Sequence, residues 1–252
     1  MSGPDVCAPR IRPIAIVVFG VQLLFVLAWT IAMRPPAAGV VAGVCVTAGL
    51  LADYTAVTAG TARLLPLLYV ALPAVVAALV SQVFRTADRQ RAGDTWGATL
   101  LLVLGTVSFA SLITLTRKPI GTQAVLVCLA AAGVALVVAR LTDAVFAKPR
   151  IAPQVPRGAT GIILGAMLGT LGAGALGSVL VLPFDPAKGA LLGLVAAGLA
   201  GLVDLGVNYT EAGRTMAGDV PTFWVARHMQ GPLGAFALVA PVTYALTVFF
   251  LS

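Results

Sequence analysis

Charge is what this sequence has least of. Lys+Arg number 16 and Asp+Glu 9 in 252 residues, so 10% of the chain is charged, where a soluble domain carries roughly 25%. Too little polar surface remains to cover a water-soluble fold of this length. Histidine occurs once, at His228; with no second histidine or cysteine beside it, it cannot build a zinc site. The cysteines, Cys7, Cys45 and Cys128, are scattered. They form no C-x-x-C pair, which argues against a disulfide framework or a thiolate metal centre, and they read as packing residues. P-loop, G-x-G-x-x-G, G-x-S-x-G and H-E-x-x-H patterns are all missing. No basic stretch is interleaved with aromatics, so no nucleic-acid partner is expected. Alternating ten-residue strands are absent, which excludes a membrane β-barrel. A cleavable signal peptide is not expected either. The first apolar stretch is too long for one, and Met33-Arg34-Pro35-Pro36 after it offers no small-residue cleavage pattern.

What the chain has instead is apolar length: 60% of its residues are apolar, with a mean hydropathy of +1.02. Eight stretches are long enough to cross a hydrocarbon core of roughly 30 Å: Ile14–Ala32, Ala37–Val57, Leu64–Phe84, Trp96–Leu115, Thr122–Phe146, Ala159–Leu182, Gly189–Asn208 and Gly231–Leu251. The expectation is an all-α polytopic membrane helix bundle, a single transmembrane domain over 1–252 with about eight spans; a broken or re-entrant helix would make seven or nine. Lys and Arg divide ten to six between the two sides. That places the loops after helices three, five and seven in the cytoplasm, although Arg10 and Arg12 pull the other way. The formal charge of +7 then sets basic loops against an anionic leaflet, each cation being worth about 1 kcal/mol there. Membrane lipids, anionic phospholipid among them, are the expected partners, and the cell (inner) membrane the expected location.

Small residues recur at every fourth position of the sixth helix (Gly161, Gly165, Gly169, Ala173, Gly177) and of the seventh (Gly189, Gly193, Ala197, Gly201). Such faces let backbones approach closely. They predict that these helices pack on each other or on a neighbour, and they offer a surface for a protein partner or a lipid tail.

Acids within spans are costly and mark candidate sites. Asp204, Asn208 and Glu211 share one face of the seventh helix by their i, i+4, i+7 spacing. Arg214, Asp219, Arg227 and His228 follow in the next loop, Asp143 ends the fifth helix just before Lys148 and Arg150, and Asp53 and Tyr54 lie near the end of the second. One reading is a pocket in which Asp204 and Glu211 bind a metal or basic group while Arg150, Arg157 and Arg227 bind phosphate. The other is that Asp204 and Glu211 pair with Arg214 at the interface and cap helix ends. Asp88 and Asp94 sit among three arginines and read as a solvated face, with Asp94 placed to cap helix four.

The run Ala147-Lys148-Pro149-Arg150-Ile151-Ala152-Pro153, then Pro156-Arg157 and a glycine-rich helix, resembles the phosphatidate cytidylyltransferase family. That family has a G-K-x-x-x-A-P segment, an S-P-K-K-T-x-E-G loop and then a glycine-rich helix. Val203-Asp204-Leu205 is similar to its G-D-L, Asp219 falls near its K-D, Arg227-His228 near its P-G-H-G-G, and Ala240-Pro241-Val242-Thr243-Tyr244 resembles its final helix. The likeness covers 122–252 as a family-like core and 14–115 only weakly. It implies packed helices around a polar cavity and a nucleotidyltransferase that joins CTP to phosphatidic acid, using magnesium held by carboxylates, with catalytic candidates Asp143, Asp204 and Asp219; the metal ligands Asp204 and Glu211 come from the pocket reading, since Glu211 stands where the family has a lysine. It also implies a phosphate or lipid-headgroup set of Lys148, Arg150, Arg157, Arg214, Arg227 and His228. The chain departs from the family where metals would bind. Met229–Phe236 contains no acid, the S-P-K-K-T-x-E-G loop has shrunk to Pro156–Gly161, and Val207 stands where a glutamate is expected. The expectation is therefore a non-catalytic relative, a pseudoenzyme with a lipid- or partner-binding role and no cofactor. An active enzyme with a rearranged magnesium site is one alternative, and a small transporter or assembly subunit another. Residues 1–125 and 126–252 show no convincing internal repeat, as a transporter usually would.

Overall fold

A computed structural model describes residues 8–35, 38–83, 92–146, 149–180, 184–219 and 223–251, with the side chains at 8–12, 82–83 and 92–95 excepted. Among the described residues there are eight α-helices: α1 (Ala8–Met33), α2 (Ala38–Thr58), α3 (Leu65–Val83), α4 (Ala92–Thr116), α5 (Gly121–Val145), α6 (Ala159–Val179), α7 (Pro186–Met216) and α8 (Trp224–Phe250). Seven are long and apolar enough to span a bilayer; the apolar part of α3, Leu65–Ser81, is shorter. Large apolar side chains stand exposed on every helix, from Ile16 and Leu72 to Leu171 and Phe249. In water such a surface would aggregate; in lipid it is the solvated face. The chain is a polytopic, all-helical integral membrane protein.

Helix ends differ from the hydropathy boundaries where polar residues remain helix-compatible. α7 runs on past Asn208 to Met216, because Tyr209–Met216 can leave the hydrocarbon without leaving the helix. Asp185 caps its start, accepting a hydrogen bond from Lys188 N at 2.7 Å with Pro186 following. Gly218, at φ +81°, turns the chain after its end. α8 likewise begins at Trp224, ahead of the apolar run at Gly231. Pro73, Pro232 and Pro241 lie inside helices, as spans tolerate.

The chain divides into two compact units, Met1–Pro119 with Phe223–Arg227, and Ile120–Thr222 with His228–Ser252. In the first, α2 packs on α1, α3 and α4, and α4 also packs on α1 and α3. Phe25 is its aromatic anchor, 5.5 Å from Trp29 and 5.7 Å from Phe109 between ring centres. In the second, α5, α6 and α7 pack mutually. The glycine face of α6 is shared between neighbours. A Cβ added at Gly161 would lie 2.8 Å from the Ala139 carbonyl of α5, and one at Gly189 of α7 2.5 Å from the Ala173 carbonyl of α6. Gly165 and Gly169 likewise abut the Ala135 and Ala131 carbonyls. Only hydrogen fits at these crossings, and this close van der Waals contact is what joins helices in lipid. The predicted packing of helices six and seven on each other is observed, and α5 covers the first half of the stripe.

Candidate functional site

The second unit closes over a cluster of four charges. Arg157 is its hub: Nη1 donates to Asp143 Oδ2 at 3.1 Å and Nη2 donates to Asp204 Oδ2. Arg140 Nη2 donates to Asp204 Oδ1 at 3.1 Å and to the His228 carbonyl at 3.2 Å. Asp204 and Arg157 are buried, whereas the Arg140 side chain keeps 32% of its exposure. Two carboxylates and two guanidiniums sum to zero, so the cluster is internally neutral, as a buried site must be.

Local structure explains why these residues meet. Arg140 and Asp143 are i, i+3 on α5 and share a face. The segment after α5 folds back on itself through an isolated antiparallel bridge between Arg150 and Gly158. Ile151 N donates to the Arg157 carbonyl at 3.0 Å, Ala159 N donates to the Pro149 carbonyl at 3.3 Å, and Val155 is plugged into the core. That fold delivers Arg157 to Asp143. The Asp143 carboxylate also sits over the start of α6, accepting from Gly158 N at 3.0 Å. Gly158 supplies no cap of its own, so Asp143 provides the negative charge that a helix N-terminus favours. Gly231 admits α8 to the cluster, since a Cβ there would overlap the Asp204 carboxylate.

The other predicted residues lie elsewhere. Glu211, buried near the end of α7, is 3.9 Å from Arg214, and Arg214 Nε lies 3.4 Å from Asp219. Asp204 and Glu211 thus face different arginines. The interfacial pairing with Arg214 holds for Glu211, while Asp204 takes Arg157 and Arg140. Asn208 donates to the Asp204 carbonyl at 2.6 Å. Arg150 and His228 are exposed; Arg227, exposed on the first turn of α8, belongs to the first unit. Lys148, Cys7, Asp88 and the arginines at 85, 89 and 91 lie outside the described residues, as does the Asp94 side chain.

The donor set does not fit a magnesium pair. Among the described residues no three His, Cys, Asp or Glu side chains gather as a metal site, and the two carboxylates that converge are filled by guanidinium. A shallow crevice in the first unit against Trp29, Met33 and Leu102 has no room for a bound water. Arg140, inside the apolar run Thr122–Phe146, is not singled out by the sequence; its i, i+3 relation to Asp143 is the available signal. Nor is Gln22 singled out, a lone amide in the apolar first span, which is hydrogen-bonded to Asp53. No family model, no curated protein and no solved structure matches the chain.

Proposed function

We propose that this chain is a non-catalytic membrane protein of phosphatidate cytidylyltransferase type, binding the headgroup of an anionic phospholipid at the basic rim of its second unit. The observation that carries the reading is Arg157 joining Asp143 and Asp204. Phosphoryl transfer to a lipid needs carboxylates to hold divalent metal against the phosphates, and here an arginine of the same chain takes that place. Exposed Arg150 supplies positive charge beside the closed, neutral cluster. A bacterial inner membrane, rich in anionic lipid, suits this role.

Two measurements test it. Purified protein in nanodiscs with phosphatidic acid, CTP and magnesium should release no pyrophosphate above the protein-free background. Native mass spectrometry should show phosphatidic acid retained over phosphatidylcholine, with retention reduced several-fold in Arg150→Gln. Turnover abolished by Asp204→Asn would overturn the non-catalytic reading, and equal retention of both lipids would overturn the headgroup role. A second reading, an active enzyme with a rearranged site, draws on the convergence of Asp143 and Asp204; it requires Arg157 to give up its place, and the pyrophosphate assay decides it.

A further inference from the structure

The first unit holds a polar pair of a different kind. Gln22 of α1 and Asp53 of α2 are buried, at 1% and 6% exposure. Gln22 Nε2 donates to Asp53 Oδ1 at 2.9 Å and to the Thr106 carbonyl of α4 at 3.2 Å. Gln22 lies nine residues into the span Pro13–Met33, Thr106 ten into Trp96–Thr116 and Asp53 five before the end of Ala38–Thr58, so the pair lies within the spanning segments. Gly49 makes room for it: a Cβ there would come 2.9 Å from Gln22 Oε1.

Both amide hydrogens of Gln22 are spent, and the Thr106 hydroxyl donates to the Leu102 carbonyl. Two buried oxygens, Asp53 Oδ2 and Gln22 Oε1, are left with no donor among the described residues. Asp143 and Asp204 meet guanidinium, but among the described residues Asp53 meets none. The charged side chains described in the first unit's inter-helix segments, Arg34, Arg63, Arg117 and Lys118, lie beyond the helix ends, and Arg117 donates to the Ala56 carbonyl instead. Of the other titratable groups on α2 and α3, Tyr54 and Tyr69 are exposed, and Cys45 lies two turns before Asp53. An ionised carboxylate in hydrocarbon with one neutral donor is strongly disfavoured.

The chemistry of the pair supplies the remedy. A carboxylic acid and a primary amide form a ring of two hydrogen bonds, the amide N–H donating to the acid carbonyl and the acid O–H donating back to the amide carbonyl. The bond from Gln22 Nε2 to Asp53 Oδ1 is the first leg. The two oxygens without donors are those the second leg joins. We propose that Gln22 and Asp53 form an intramembrane proton-binding site, in which Asp53 Oδ2 takes a proton from water and shares it with Gln22 Oε1. The site is independent of the headgroup reading of the second unit.

Infrared difference spectroscopy tests it on the full-length protein in nanodiscs. At neutral pH the wild type should show the carbonyl stretch of a protonated carboxyl, shifted down in heavy water. Asp53→Asn, which keeps the bond from Gln22, should delete that band, and Gln22→Leu should move it to higher frequency by removing the amide partner. Should Asp53→Asn fail to fold, Asp53→Glu should displace the band rather than delete it. Absence of the band at neutral pH, or its indifference to these substitutions, would overturn the proposal. Loss of the band on adding sodium at constant pH would also overturn it, in favour of a cation site.

Discussion

Replacing Arg157 with methionine removes the hub of the second unit's charge cluster while keeping much of its volume. Two buried carboxylates then remain against one cation, because Asp204 keeps Arg140 at 3.1 Å while Asp143 retains only the Gly158 amide at 3.0 Å. Breaking a buried pair by removing one partner costs about 3–5 kcal/mol. With roughly 2–4 °C lost per kcal/mol in a chain of this size, the unfolding midpoint should fall by about 6–20 °C. The readout should report the second unit alone. Cys128 is buried on α5, and Cys45 lies in the first unit. With Cys7 and Cys45 replaced, a thiol-reactive dye therefore follows exposure of Cys128 on heating. Adding Asp143→Asn to Arg157→Met removes the stranded anion, so the double variant should recover about 2 kcal/mol relative to the sum of the singles. A midpoint shift under about 2 °C for Arg157→Met, or strictly additive effects in the double variant, would refute the cluster as the element holding α5, the loop and α7 together.

Two further outcomes are expected from the same assay. Gly161→Val should destabilise the second unit by about 1–3 kcal/mol through overpacking against α5, whereas Gly172→Ala, which meets nothing within 4 Å, should be neutral or mildly stabilising. Asp185→Ala should cost about 1 kcal/mol by removing the α7 cap, and Asp185→Asn should restore most of it.

The helices were legible because apolar length is a direct physical requirement of the bilayer, and so was the glycine packing, because i, i+4 spacing fixes a face. The end of α7 was not, since hydropathy reports where lipid stops and Tyr209–Met216 stays helical beyond it. Asp143, Asp204 and Arg157 stood out as rare charges in apolar surroundings. Their partners did not, because periodicity relates residues along one helix while Arg157 reaches Asp204 across 47 residues. Glu211 shares a face with Asp204 by spacing alone, yet two helical turns are enough to hand it to Arg214. Gln22 went unnoticed because a neutral amide scarcely lowers a hydropathy average.

The hub arginine also ties together segments that leave the ribosome at different times. Asp143 lies only 14 residues from Arg157, so that bond can close once the loop emerges, whereas Asp204 arrives 47 residues later. Without α7, Asp143 alone would stand against Arg140 and Arg157, one cation in excess. Asp204 supplies the missing carboxylate, so α7 completes the electrical balance of the second unit.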